Sequence, residues 1–187
     1  GDGGLVGSDG DGGGPNAPTV NDGSYTIGGS GASYSTISAA VSALNSSGTS
    51  GPVKFTVADG SYSGPVRLSG SSIGHSVIFE GSDSSKCTLS GYSSSSTGGV
   101  WEVDNVDSIT IKNITIRNTN TRSYGSAVRF DYTDASKVIN CRLITRESPN
   151  YAYQNCAAYL YAAENCEIIN TREYGGYYDI YLYGTST

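Results

Sequence analysis

The sequence contains no methionine, one tryptophan and one histidine, and only 15% of its residues are charged. Each scarcity excludes something. The single histidine, His75 in SSIGHSVIF, leaves a histidine-rich metal site without ligands, and nothing beside it orients a Ser–His–Asp triad. It reads as a turn or surface residue. The net charge of −6 comes without clustered Lys and Arg, so neither nucleic acid nor an anionic membrane surface is an expected partner. No apolar run approaches the ~20 residues that span a bilayer, so membrane insertion is not expected. No C-x-x-C occurs among Cys87, Cys141, Cys156 and Cys166, which rules out the usual zinc spacings. No Gly-rich stretch follows a strand and opens a helix with phosphate-loop spacing, and no cofactor or metal is expected. The absence of a starting methionine fits a mature chain whose leader has been removed.

What is there is equally unbalanced: 26 glycines and 15 tyrosines among abundant Ser and Thr, a composition that reads as extracellular, secreted or cell-surface. Four cysteines are an even number, which permits disulfides in an oxidising compartment without requiring them. Residues 1–23, GDGGLVGSDGDGGGPNAPTVNDG, have too little apolar surface for a core and read as a Gly-rich arm ahead of a domain over 24–187. Leu5 and Val6 are the anchor such an arm would offer to its own domain or to a neighbour. Asp9 and Asp11 faintly resemble a calcium loop but lack its third ligand and distal Glu, so the stretch reads as linker.

Residues 34–47, YSTISAAVSALNSS, place Ile37, Ala40, Val41 and Leu44 at helical spacing, with Ser35 or Thr36 as cap. After this helix the chain is strand-like: VKFTV (53–57), PVRLS (65–69), SVIFEG (76–81) and KCTLSG (86–91) are β-branched runs between Gly and Ser turns. From residue 99 a repeat begins. VWEVDNVDSITIKNITIRN, AVRFDYTDASKVINCRLIT and AAYLYAAENCEIINT overlay, bringing Asn113, Asn140 and Asn165 into line 27 and then 25 residues apart, a solenoid period. The overlay also aligns Ile114, Cys141 and Cys166, then Ile116, Leu143 and Ile168, alternating with Thr115, Arg142 and Glu167. One such copy cannot bury its apolar face alone, so copies must stack. The fold predicted is all-β: a parallel β-solenoid with one N-terminal helix and an asparagine ladder at its turns, where Asn tolerates the left-handed conformation. Rungs ~4.8 Å apart would allow a Cys141–Cys166 disulfide; two reduced thiols stacked in the core fit equally well.

The stretches YSTISAAVSALNSSGTSGPVKFTVADGSYSGPVRLSG, VIFEGSDSSKCTLSG, SAVRF, VINCRLITRESPNY and AENCEIINTREYGG together resemble the right-handed parallel β-helix of the pectin lyase-like superfamily, and within it the pectin methylesterases. The resemblance covers about residues 25–183 and implies a right-handed solenoid closed at its start by a capping α-helix. Similar openings also belong to surface proteins without esterase activity. The family's catalytic positions fall on residues of other types: its first glutamine on Ser126, its Gln-Asp-Thr motif on Glu147, Ser148 and Pro149, and its nucleophilic aspartate near Glu173. A carboxylate nucleophile needs a partner acid and an oriented pocket. The resemblance therefore implies the scaffold without the chemistry, and no catalytic residue is assigned.

Paired carboxylates for glycoside cleavage would have to come from Asp104 with Asp107, Asp131 with Asp134, or Glu147 with Glu173, all of which read as solvated outer positions. The tyrosines after residue 150 are more suggestive, because Tyr combines large apolar area with a polar tip. Tyr151, Tyr153, Tyr159, Tyr161 and Tyr174 are candidate sugar contacts. The last segment, DIYLYGTST, reads as the start of a rung with no polar cap, exposing backbone groups and an apolar cross-section. Tyr178, Ile180, Tyr181, Leu182 and Tyr183, with Leu5 and Val6, are candidate subunit contacts. Head-to-tail association of copies does not close and builds filaments. The expectation is a non-enzymatic structural subunit of an extracellular filament or surface layer, with a carbohydrate-binding or adhesin module second and a polysaccharide-acting enzyme third. Asn45, in N-S-S on a loop after the helix, is the expected glycosylation acceptor.

Overall fold

The computed structural model describes residues 20–121, 124–147 and 155–184. Leu5, Val6, Tyr151 and Tyr153 lie outside these residues.

The described chain opens with β1 (Gly23–Ile27) and α1 (Ile37–Ser47) and then winds through five strand triplets. The triplets are β2 (Val53–Val57), β3 (Gly60–Ser63) and β4 (Val66–Leu68); β5 (Val77–Gly81), β6 (Cys87–Gly91) and β7 (Gly99–Asp104); β8 (Ile109–Lys112), β9 (Thr115–Asn118) and β10 (Ser126–Asp131); β11 (Lys137–Ile139), β12 (Arg142–Ile144) and β13 (Cys156–Tyr161); β14 (Glu167–Ile169), β15 (Arg172–Tyr174) and β16 (Tyr178–Tyr183). Successive coils lie in parallel register and build three sheets. Sheet 1 runs β1-β2-β5-β8-β11-β14, sheet 2 runs β3-β6-β9-β12-β15, and sheet 3 runs β4-β7-β10-β13-β16. The molecule is a right-handed parallel β-helix with one N-terminal helix packed on β3 and β4.

Alternation sets which side chains enter the lumen. In VKFTV, Val53, Phe55 and Val57 are buried and Lys54 and Thr56 exposed. Stacking such strands places Tyr25, Phe55 and Phe79 in a column on sheet 1, with Tyr25 and Phe55 centroids 5.6 Å apart and Phe55 and Phe79 stacked at 4.7 Å, and Trp101 of sheet 3 meets Phe79 edge-on at 5.0 Å across the lumen. These pairings add to the area that each ring buries. Helix α1 starts at Thr36, whose hydroxyl accepts from Ala39 N at 3.1 Å, and it buries Ile37, Ala40, Val41 and Leu44. Gly48, at φ 69°, ends the helix by donating to Leu44 O at 2.8 Å.

Corners turn through left-handed residues that stack coil upon coil. Asn105, Tyr132 and Ala162 follow sheet 3; Ser108, Ala135 and Asn165 precede sheet 1; Asn113, Asn140 and Asn170 join sheet 1 to sheet 2, all at φ between 45° and 59°. The asparagine ladder is therefore Asn113–Asn140–Asn170, in which Asn170 Nδ2 donates to Asn140 Oδ1 at 2.8 Å and Asn113 Nδ2 to Gly81 O at 3.0 Å. Asn165 belongs to another corner, and its Nδ2 bonds Asp134 Oδ1 at 2.8 Å. The Asn-Cys dipeptides at 140–141 and 165–166 match as letters but sit at different corners.

The same correction separates the cysteines. Cys141 stands in the column of Ile114 and Thr171, Cys166 beside Ser136, and all four thiols are free. Their burial pushes the thiols of Cys87 and Cys156 up to about 12 and that of Cys141 to about 11. Asn45 lies within α1 rather than on a following loop. Its side chain bridges two backbone groups, donating to Arg67 O at 2.8 Å and accepting from Ser69 N at 3.0 Å, so the nitrogen that would carry a sugar is already committed.

Candidate functional site

The outer face of sheet 3 gathers the densest set of polar and aromatic side chains. Strand register aligns Arg67, Glu102, Arg129, Tyr159 and Tyr181 in one column, and Asp104, Asp131, Tyr161 and Tyr183 in the next. The face is ionic on the early coils and aromatic on the last two.

On the ionic half one column alternates in sign, Arg67, Glu102 and Arg129, and its arginines neutralise the next column, where Asp104 and Asp131 stand directly opposite each other. Arg67 pairs with Asp104 and lies 3.7 Å from Glu102. Glu102 Oε1 also accepts from Gly99 N at 2.7 Å, and Asp104 Oδ1 from Asn105 Nδ2 at 2.7 Å. Arg129 Nε donates to Asp131 Oδ2 at 2.5 Å while its Nη1 donates to Thr97 O. Among the described residues Asp131 Oδ1 is buried and takes no hydrogen bond, so this carboxylate has one oxygen committed to Arg129 and one enclosed oxygen without a donor.

Arg129 connects the two halves, its guanidinium lying 4.5 Å from the Tyr159 ring centroid. Tyr159 stacks on Tyr181 at 5.4 Å and Tyr161 on Tyr183 at 5.3 Å, with interplanar angles of 19° and 8°. Tyr132 meets Tyr161 edge-on at 5.1 Å. Its phenol is raised, first through the hydrogen bond to Tyr161. Within each stacked pair the rings cover one another's faces, so the pair presents edges and hydroxyls; Tyr183 and Tyr132, about half exposed, add ring surface. A hydroxyl-bearing ligand would meet phenol groups, a carboxylate and a ring platform on one strip.

The structure redistributes the sequence candidates. Tyr159, Tyr161, Tyr181 and Tyr183 share the sheet 3 face, joining two sets that the sequence assigned to sugar and to subunit contact. Ile180 and Leu182 alternate inward over Ala158 and Leu160 yet remain 41% and 70% exposed, and Tyr178 stacks over Cys156. Tyr174 is elsewhere, on the outer face of sheet 2, with Arg142 5.5 Å from its ring centroid. Ser126 is buried on β10, its Oγ without a hydrogen-bond partner among the described residues. Glu147 is exposed after β12, and Ser148 and Pro149 lie outside the described residues. Glu173 points into the lumen on β15 over Leu143, and burial, then Asp179, raises its carboxyl. Asp107 accepts from Asp134 N at 2.8 Å across a corner. His75 is exposed, 3.4 Å from the Thr49 hydroxyl.

Sequence reading missed the ionic half, although overlaying VWEVD, AVRFD and AAYLY already aligns Glu102 with Arg129 and Tyr159. Among the described residues no three His, Cys, Asp or Glu side chains stand together to hold a metal ion, and no helix is long and apolar enough to cross a membrane.

No family model matches the chain, and no curated protein matches it. Solved structures do. A pectin methylesterase from Aspergillus niger is 22% identical with a TM-score of 0.56, over 87% of this chain and 57% of that one. A pectin methylesterase from Erwinia chrysanthemi is 11% identical with a TM-score of 0.54, over 77% and 48% respectively. These likenesses show the fold, the pectin lyase-like β-helix. The chain spans about half the length of these solved structures.

Proposed function

We propose that this protein is a secreted or cell-surface β-helix that binds a saccharide chain along the outer face of sheet 3. One observation carries the reading: two parallel columns place Arg67, Asp104, Arg129 and Asp131 in line with Tyr159, Tyr161, Tyr181 and Tyr183 on one face. Sugars are bound by this combination of ring surface for their C–H faces and charged hydrogen-bonding groups for their hydroxyls. The strip runs along the solenoid axis at ~4.8 Å per rung, so it suits an extended polymer better than a compact ligand. The fold supports the reading, since one related solved structure is described as a pectin methylesterase in complex with a hexasaccharide. Affinity electrophoresis in gels containing neutral, uronate and amino-sugar polysaccharides tests it: retardation by one class, relieved at least tenfold in Tyr161→Ala and Arg129→Gln, is expected. Equal mobility in every gel overturns it.

A second reading is favoured by β16, the outermost described strand of sheet 3, where Leu182 and Ile180 remain exposed. Further coils or a second copy would cover this edge, and head-to-tail stacking of copies would build a filament or surface layer. Electron microscopy at near-native concentration distinguishes the two, since the filament reading requires regular fibres and dispersed particles contradict it. The names of the structural neighbours supply a third, esterase reading, which release of methanol from methylated pectin would establish and its absence would remove.

A further inference from the structure

The ion pairs of the described residues are unevenly distributed. Lys54 and Lys112 bracket Glu80 at 2.6 and 2.7 Å and Lys137 meets Glu167 at 2.8 Å on sheet 1, while Arg67 and Arg129 are paired on sheet 3. Sheet 2 differs. Arg117, Arg142 and Arg172 lie on its outer face, and none has a carboxylate within ion-pair distance among the described residues.

Two of them are placed at close quarters. Arg142 on β12 and Arg172 on β15 are direct register partners, so their chains are one strand spacing, ~4.8 Å, apart. Like charges directly opposite destabilise a sheet, and elsewhere in this molecule a carboxylate stands between neighbouring cations. Here the pair opens onto a concavity of about 460 Å³, walled by the turn carrying Asp83 and Ser85 and by the corner residues Asn140 and Asn170. Among the described residues Arg142 Nε is buried with no hydrogen-bond partner, on a side chain that is itself half-buried. Asn170 Nδ2 is spent on Asn140 Oδ1, and the Ser85 hydroxyl and N–H are both spent on Asp83 Oδ1, at 2.6 and 2.7 Å. The two guanidinium groups are the charged donors of the site.

We propose that this concavity is an anion site for a sulfate half-ester, held between Arg142 and Arg172. Shape and charge select the group. A planar carboxylate matches one guanidinium fork, whereas a tetrahedral oxyanion has enough terminal oxygens to meet two forks on successive rungs. The walls carry two positive charges and one negative, because Asp83 is kept ionised by the hydrogen bonds from Ser85, which hold its carboxyl below the usual range. A single negative charge balances that lining, while a phosphate monoester brings close to two. The site is on a different face from the tyrosine columns and is independent of them.

Calorimetric titration of the whole chain with glucose 6-sulfate, glucose 6-phosphate, glucuronate and inorganic sulfate tests the proposal. Saturable binding of glucose 6-sulfate is expected, weakened at least tenfold in Arg142→Gln and Arg172→Gln and unchanged in Arg117→Gln, which lies outside the cavity. Tighter binding of the ester than of inorganic sulfate identifies a sulfated saccharide as the source, and equal binding identifies the free ion. The repulsion gives a second readout. In low-salt, sulfate-free buffer Arg172→Gln should unfold at a temperature equal to or above that of the unsubstituted chain, an order reversed by glucose 6-sulfate; an arginine with only a packing role would lower it in both. Absence of saturable binding, binding unmoved by Arg172→Gln, or glucuronate or glucose 6-phosphate binding as tightly as the sulfate ester overturns the proposal.

Discussion

Glu173 shows what one residue can reveal. It occupies a lumen position above Leu143, in a column where the three preceding coils place Leu89, Ile116 and Leu143, and its burial and the charge of Asp179 both disfavour ionisation. A carboxyl whose folded value is raised supports the fold while protonated and withdraws that support as pH rises through the raised value. Glu173→Gln should therefore raise the unfolding temperature at pH 7 and leave it unchanged near pH 4; thermal scans at the two pH values check this, and equal shifts at both would count against it. The cysteines give a second residue-scale prediction. Burial holds Cys87, Cys141 and Cys156 as neutral thiols, and neutral thiols are poor nucleophiles. Under native conditions a thiol reagent at pH 8 should label Cys166, the least buried, first, with the other three released only on unfolding; mass spectrometry of the labelled peptides would show the order. A third concerns the aromatic column. Phe79 lies between Phe55 and Trp101 with no solvent exposure, and Phe79→Ala should cost about 3–5 kcal/mol, measured by denaturant unfolding.

At the scale of elements, much was legible. VKFTV, VIFEG and CTLSG are strands because β-branched and aromatic residues alternate with polar ones, and α1 begins where Thr36 can cap it. The third coil of the repeat was misaligned for a physical reason. The connections from sheet 2 to sheet 3 differ in length, spanning 119–125, 145–155 and 175–177, while the other corners stay short, so no single period describes the chain. True ladder spacings are 27 and then 30 residues, Asn113 to Asn140 to Asn170. The Asn-Cys repeat drew the overlay to Asn165 instead. What distinguishes Asn170 is stacking on Asn140, a contact between coils that local sequence does not display. Asn140→Ala and Asn170→Ala should couple by about 0.5–1 kcal/mol in a double-mutant cycle, because their amides bond each other, whereas Asn140→Ala and Asn165→Ala, whose amides do not meet, should be additive. Equal couplings for the two pairs in urea unfolding would contradict the ladder as assigned.

At the scale of the molecule, three faces of one solenoid carry three different kinds of surface. Sheet 1 is laced with lysine–glutamate pairs, sheet 2 bears arginines without carboxylate partners among the described residues, and sheet 3 presents ion pairs running into a tyrosine ladder. Sequence alone showed that tyrosines crowd the last third of the chain. It did not show which of them share a face, because that depends on coil register: Tyr174 falls on sheet 2 and Tyr161 on sheet 3, only 13 residues apart. The central claim is that the sheet 3 face binds a saccharide chain. The most direct test is tyrosine and arginine side-chain NMR during titration with an oligosaccharide of the class that retards the protein in gels. Shifts confined to Arg129, Tyr161, Tyr181 and Tyr183, and abolished by Tyr161→Ala, are predicted. Shifts at Tyr174 and Arg142 instead, or none on sheet 3 at saturating ligand, would contradict the claim.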